Sequence, residues 1–279
     1  MTHVAAPPVR FESFGLSHPG RVRTSNEDHF IIATVNKTVV AQHSNIPAAE
    51  LRQRVGSSVA YLLAVADGVG GRPGGDVASQ KTLSTIMEYL AQATHCFQAM
   101  DINREHELLD ALEASIHTAH ERLVNDAGGP SDYVPASTLT MVLLAWPRAY
   151  VIHVGDSRAY VRRGGRLQRV TRDQTFGEHM VSVGAWTEEI AARSKVSGTL
   201  ASAVGGSELT PSVGIVDLEA GDSILLCTDG LNRHVSDERI AEVLMQPNEV
   251  EAIVRQLVDE ALAGGGSDNV TVVALTSEA

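Results

Sequence analysis

Two apolar runs, LLAVADG (62–68) and ILLCTDG (224–230), close on the same Asp-Gly pair, and each has the pattern of a buried strand. Asp67 and Asp229 therefore stand where a strand leaves the core. Two further acids precede strand patterns, Asp28 in NEDHFII and Asp268 in GSDNVTVVAL, and Asp156 in VIHVGDSRAYV lies between two strands. In an antiparallel sheet the end of one strand lies beside the start of its neighbour, so these carboxylates can meet on one edge. A single Asp-Gly after a strand is ordinary turn chemistry. Five acids on comparable strand termini are harder to explain as punctuation.

Carboxylates gathered within a few ångströms cannot all stay ionised unless cations hold them. The donors on offer are oxygens, the carboxylates and the Gly68 carbonyl, where the missing side chain permits close approach. No His or Cys is taken as a ligand. Oxygen-only sets suit magnesium or manganese better than zinc or copper.

The remaining periodicity sets the class of fold. Strand patterns cover 9–17, 28–35, 37–42 and 58–66, and helical stripes cover 75–93 (Val77, Leu83, Ile86, Met87, Leu90) and 105–124, the latter stopping at NDAGGP. The stretches STLTMVLLAW, AYVIHVG, SRAYVRR and RLQRVT read as an antiparallel meander with turns at Pro147-Arg148 and Gly164-Gly165. An irregular segment, 173–206, is followed by SVGIVDL and DSILLCT, helical patterns at 236–245 and 248–263, and a last strand in NVTVVAL. This order predicts an α+β fold with sheets covered by helix pairs, in a single domain over 1–279 with its core at about 11–275.

Composition bounds the partners. At 43% hydrophobic and 20% charged the chain can bury a large core, and a net charge of −12 argues against nucleic acid or an anionic membrane as a general partner. MTHVAAPPVR has no apolar leader and no run approaches a membrane span, so a cytoplasmic protein is expected. Cys96 and Cys227 lack CxxC spacing and suggest neither a disulfide framework nor a zinc site; Cys227 reads as core.

Seven stretches, GRVRTSNEDHF, AVADGVGGRPGGDVAS, STLTMVLL, HVGDSRAY, RVTRDQT, LLCTDGL and GSDNVTVVAL, occur in the order seen in the metal-dependent type 2C serine/threonine protein phosphatases, the PPM family. The chain resembles the bacterial branch over about 11–275. The resemblance implies a four-layer α-β-β-α sandwich with a two-metal centre of Mn2+ or Mg2+ at one end. Asp67 would bridge the ions, the Gly68 carbonyl would join one, and Asp229 and Asp268 would bind the other. Glu27 and Asp28 would support the first ion directly or through water, and Asp156 with Asp229 matches the pair that holds a third, weaker ion in bacterial relatives. Arg23 matches the arginine that grips the substrate phosphate, a role its planar fork suits.

The implied reaction is hydrolysis of phosphoserine and phosphothreonine in proteins by a metal-activated water, with Arg23, Asp67 and Asp229 as the catalytic set. The implied partners are phosphoproteins, including a Ser/Thr protein kinase and its targets, and a monomer is expected. Several positions depart from the family pattern. Val69 stands where many eukaryotic relatives have His, which leaves the general acid unassigned, with water as default. Ala136-Ser137-Thr138 replaces Gly-Thr-Thr, and Gln174 stands where relatives carry His or Asp, at the start of a flap over about 173–206. Residues 36–57 are longer than the compact pattern requires and read as a loop, and His153 and His234 as structural. Two rival readings are weaker. A binding module that has lost activity would lack a metal acid, and a nucleotide fingerprint fails at Pro73.

Overall fold

The computed structural model describes residues 10–35, 39–45, 60–69, 74–92, 105–128 and 134–277. Its strands are β1 (Phe11–His18), β2 (Asp28–Val35), β3 (Val39–Ser44), β4 (Ala60–Asp67), β5 (Leu139–Ala145), β6 (Arg148–Val154), β7 (Arg158–Arg163), β8 (Arg166–Arg169), β9 (Ser212–Asp217), β10 (Ser223–Cys227) and β11 (Val270–Ser277). Its helices are α1 (Gly75–Gln92), α2 (Glu105–Asp126), α3 (Phe176–Ser182), α4 (Glu188–Arg193), α5 (Asp229–Asn232), α6 (Asp237–Leu244) and α7 (Val250–Ala263). One sheet runs β3-β2-β4-β5-β6-β9 and the other β1-β11-β10-β7-β8, and the pairing is antiparallel throughout.

The continuous apolar runs now have a physical reason. Along β4, Leu62, Ala64 and Ala66 face the layer of α1 and α2, while Leu63 and Val65 face the second sheet. Along β10, Leu225 and Cys227 face α6 and α7, while Ile224 and Leu226 meet the first sheet. A strand buried on both faces cannot alternate with polar residues. Each fully buried Leu, Ile or Val contributes about 2 kcal/mol, so the three apolar layers dominate the favourable side of folding. The result is the expected order of helix, sheet, sheet, helix.

Three details differ from the sequence reading. The 137–171 segment is not one meander: β5 and β6 form a hairpin in the first sheet and β7 and β8 a hairpin in the second. The chain changes sheet at Gly155-Asp156-Ser157, where Gly155 takes φ +105°, a value that favours glycine. The 173–206 segment carries two short helices, capped by Thr175 and Thr187, whose side chains accept from the backbone N–H of Glu178 and Ile190. Val77 is exposed, because α1 turns Ala78, Leu83, Ile86 and Leu90 inward and leaves Val77 off that stripe. Of the 36–57 loop only β3 and Asn45 fall within the described residues, and Cys96 lies outside them. Among the described residues no helix is long and apolar enough to cross a membrane.

Candidate metal centre

Strand pairing brings the acids together. In the β2–β4 ladder Asp28 is the direct partner of Asp67, the start of one strand opposite the end of the other. Asp229 opens α5 immediately after β10, and Asp268 lies just before β11; Thr228 N–H donates to Thr271 O at 3.1 Å and keeps those two ends side by side. Asp156 sits at the crossing between sheets. A cleft of about 340 Å³ is lined by Arg23, Glu27, Asp67, Gly68, Asp156, Asp229 and Asp268, together with Val69, Thr138, Gly198, Leu200, Arg233 and Asn269. Asp28 is not in the cleft wall; it lies behind Asp67 with 1% exposure.

Burial and mutual repulsion act on these carboxyls in the same direction. Burial, then the charges of Asp28, Asp229, Asp156 and Asp268, push Asp67 well above the usual carboxylate range. Burial pushes Asp28 up to about 7 against the opposing hydrogen bonds from Thr228 and Thr271. Asp156 also rises to about 7, through burial and the nearby Asp229 and Asp173. Burial raises Asp229 and Glu27 too, with Arg233 and Arg23 respectively pulling the other way.

The donor chemistry fits a hard divalent cation. Asp28 Oδ2 accepts from the Thr228 and Thr271 hydroxyls at 2.7 and 2.8 Å, but its Oδ1 is buried with no hydrogen-bond partner among the described residues, and so is Asp229 Oδ1. A buried carboxylate oxygen without a donor is costly, and a cation satisfies it. Gly68 is fixed by its surroundings: a Cβ there would run into the backbone of Gly75, and one on Gly75 would meet Glu27 Oε2 at 2.9 Å. Among the described residues, however, no three His, Cys, Asp or Glu side chains are already grouped to hold one ion. Two of the acids are turned to arginines instead. Arg23 grips Asp268 through both ends of its fork, Nε to Oδ1 at 2.8 Å and Nη2 to Oδ2 at 2.9 Å. Arg233 bridges Asp229 Oδ2 and Asp268 Oδ2, the latter at 3.1 Å. Arg23, expected on a substrate phosphate, is thus at the cleft but engaged with a carboxylate.

Three supporting groups escaped the sequence reading. Thr138 is more than small packing: its hydroxyl accepts from Asp67 N–H at 3.0 Å, and its N–H donates to Asp67 O at 2.8 Å. Asn269, directly after Asp268, accepts from Glu27 N–H at 2.8 Å and donates to Pro19 O and Ser25 O at 2.9 and 2.8 Å. It thereby fixes the loop that carries Arg23 and Glu27. Its position in the GSDN stretch was the available signal. Arg233 offered only its spacing, four residues after Asp229 on one turn of helix.

His153 is structural, as read from the sequence. It is 1% exposed, its Nε2 donates to Arg172 O at 3.0 Å, and its Nδ1 faces the Thr140 hydroxyl at 2.9 Å. Burial pulls its pKa down to about 4. Unfolded histidine titrates near 6.5, so on acidification the unfolded chain takes up this proton first and stability falls between about pH 6.5 and 4, by up to about 3 kcal/mol. Urea unfolding at pH 7 and pH 5 is expected to show a smaller acid loss in His153→Gln than in the wild type; equal losses would refute the assignment. His234 is likewise tied, its Nε2 accepting from Ser267 N–H at 3.1 Å.

A family model for protein phosphatase 2C matches residues 49–263, and the chain belongs to that family. It is 37% identical over 215 residues to the serine/threonine protein phosphatase PstP of Mycobacterium tuberculosis; the alignment covers 77% of this chain and 40% of that protein. The chain therefore spans about half the length of that curated relative. Among solved structures it is similar to the serine/threonine phosphatase of S. agalactiae, with a TM-score of 0.79 at 26% identity, covering 95% of this chain and 99% of that one. It is also similar to the catalytic domain of PstP in complex with two manganese ions, with a TM-score of 0.72 at 31% identity, covering 98% and 100%.

Proposed function

We propose that this chain is a metal-dependent protein serine/threonine phosphatase that hydrolyses phosphoserine and phosphothreonine. The observation that carries the reading is the meeting of Asp67, Asp156, Asp229, Asp268 and Glu27 on one cleft, over a buried Asp28, in a member of the phosphatase 2C family. Asp67, the Gly68 carbonyl, Asp229 and Asp268, backed by Glu27 and Asp28, would hold two Mn2+ or Mg2+ ions, and Asp156 with Asp229 a third. When bound, such ions acidify a water for in-line attack and neutralise the transferring oxygens. The manganese-bound PstP structure supports that choice of metal.

The chain's own residues do the rest. Thr138 holds the Asp67 backbone at both its N–H and its carbonyl, and Asn269 sets the height of the Arg23 loop. Arg23, 44% exposed at the side chain, binds the phosphate once it leaves Asp268. Among the described residues that line the cleft there is no Ser or Cys, which suits direct attack by water over a phosphoenzyme on either residue. Val69 at the cleft has no proton to give, so water is the default donor to the leaving alkoxide. The flap borders the cleft through Gly198 and Leu200, where it can select substrates. The expected setting is a monomer in the cytoplasm, acting on phosphoproteins and opposing a Ser/Thr kinase.

Hydrolysis of a phosphothreonine peptide and of p-nitrophenyl phosphate tests the reading. Turnover is expected with manganese, to vanish with a chelator, and to collapse in Asp229→Ala. A folded wild type with no turnover at saturating manganese would instead make the protein a binding module on a phosphatase fold.

A further inference from the structure

Arg233 has no part in the chemistry above, yet its guanidinium lies between two of the acids assigned to one ion. It follows α5 by one position, a single helical turn after Asp229. One Nη donates to Asp229 Oδ2 and the other to Asp268 Oδ2 at 3.1 Å. The two carboxyl side chains are 11% and 14% exposed, and the Arg233 side chain is 50% exposed. Asp268 has a second cation, Arg23, whereas Arg233 is the side chain that spans both acids.

A charge placed across two mutually repelling carboxylates does electrostatically what a divalent ion shared by them would do. Arg233 cannot diffuse away, because the backbone holds it beside the acids at a high effective concentration. A divalent ion that takes Asp229 and Asp268 must therefore displace it. Once displaced, a planar guanidinium remains at the mouth of the cleft beside Arg23, suited to a bidentate grip on phosphate oxygens.

We propose that Arg233 is a tethered counter-cation that competes with the divalent ion for Asp229 and Asp268, and that metal binding releases it to hold the anionic substrate beside Arg23. The proposal rests on the metal-centre reading and adds to it a link between metal occupancy and anion binding. A fork is required, since an ammonium at the same place cannot span both acids with directed bonds.

Manganese titration calorimetry on the whole chain, without substrate, tests the first half in the wild type, Arg233→Gln and Arg233→Lys. Loss of two half-exposed ion pairs is expected to tighten the manganese site at Asp229 and Asp268 by about tenfold in Arg233→Gln, with Arg233→Lys between. The melting temperature in chelator is expected to drop in Arg233→Gln, while the rise on adding manganese becomes larger than in the wild type. A merely structural arginine would lower both melting temperatures equally and leave the affinity unchanged, and that result overturns the proposal. Should Arg233→Gln not fold, the charge-keeping Arg233→Lys still decides, because unchanged affinity there has the same meaning. Manganese binding by no variant and not by the wild type would overturn the metal-centre reading together with this one. Inorganic phosphate titrated into the manganese-loaded proteins tests the second half: about tenfold weaker binding in Arg233→Gln supports release onto the anion, and equal binding refutes it.

Discussion

Asp67→Asn is expected to lose about a thousandfold or more in phosphatase turnover while leaving the protein at least as stable in chelator as the wild type. The two effects come from one cause. Asp67 faces Asp28 across the strand ladder and feels Asp229, Asp156 and Asp268 besides, so its charge is the most crowded in the cleft. Asparagine keeps the shape and the backbone bonds to Thr138, and removes that charge. Without bound cations the neighbouring carboxylates then repel less, and the melting temperature holds or rises. With manganese present the order reverses, because the variant lacks one of the acids that would hold the ions. Assays at saturating manganese and paired melts with and without chelator check both signs. Retention of more than about a tenth of the activity would remove Asp67 from the residues that would hold the ions. A function bought with stability in this way is common where charged groups of one sign converge.

Gly68→Ala carries the second large effect, this time on both fold and activity. The added methyl would meet the carbonyl, carbon and Cα of Gly75, all backbone atoms that cannot swing aside. Overpacking of this kind costs about 1–3 kcal/mol or more. Gly75 has little room to retreat, since Glu27 Oε2 lies 2.9 Å from where its own Cβ would be. The strain therefore passes into the carbonyl of Gly68, the N–H that Gly68 donates to Glu27 O, and the first turn of α1. Urea unfolding should show the loss of stability, and turnover should fall at least about a hundredfold because a misplacement of an ångström is enough. Gly198 lines the same cleft with nothing within 4 Å of its would-be Cβ, so Gly198→Ala is the control expected to keep wild-type stability. Similar losses in both variants would show that the Gly75 contact does not set the geometry.

Much of this was written in the sequence for identifiable reasons. The runs at 62–66 and 224–227 are apolar on both faces, and only a strand between two layers needs that. The meeting of Asp28 with Asp67 followed from antiparallel pairing, because a strand start and a strand end are neighbours by geometry. The change of sheet at Gly155 was hidden because hairpins within one sheet and across two have the same local pattern of strand, turn and strand. The flap helices were hidden because they bury almost nothing: Gly177 is the buried residue in α3, and α4 has none. Without an apolar stripe only the caps remained, and Thr175 with Glu178 three residues on is such a signal. Arg233 could be read only as a neighbour of Asp229, since its bridging of the two acids depends on Asp268, a residue 35 positions away.

The buried side of Asp28 has a consequence for how the molecule comes into being. Asp28 belongs to one sheet, yet the hydroxyls on its Oδ2 come from the other side of the molecule, from Thr228 just after β10 and Thr271 in β11, at separations of 200 and 243 residues. The strand that brings Thr271, β11, is late in the chain but lies in the interior of its sheet, between β1 and β10. A growing polypeptide can close the first sheet as far as β6 while its acids at 27, 28 and 67 still lack their counterparts. Such long loops close slowly, and nothing rewards them until the last strand slots in. The nascent protein is therefore inert by construction, and its chemistry switches on as a late event of folding.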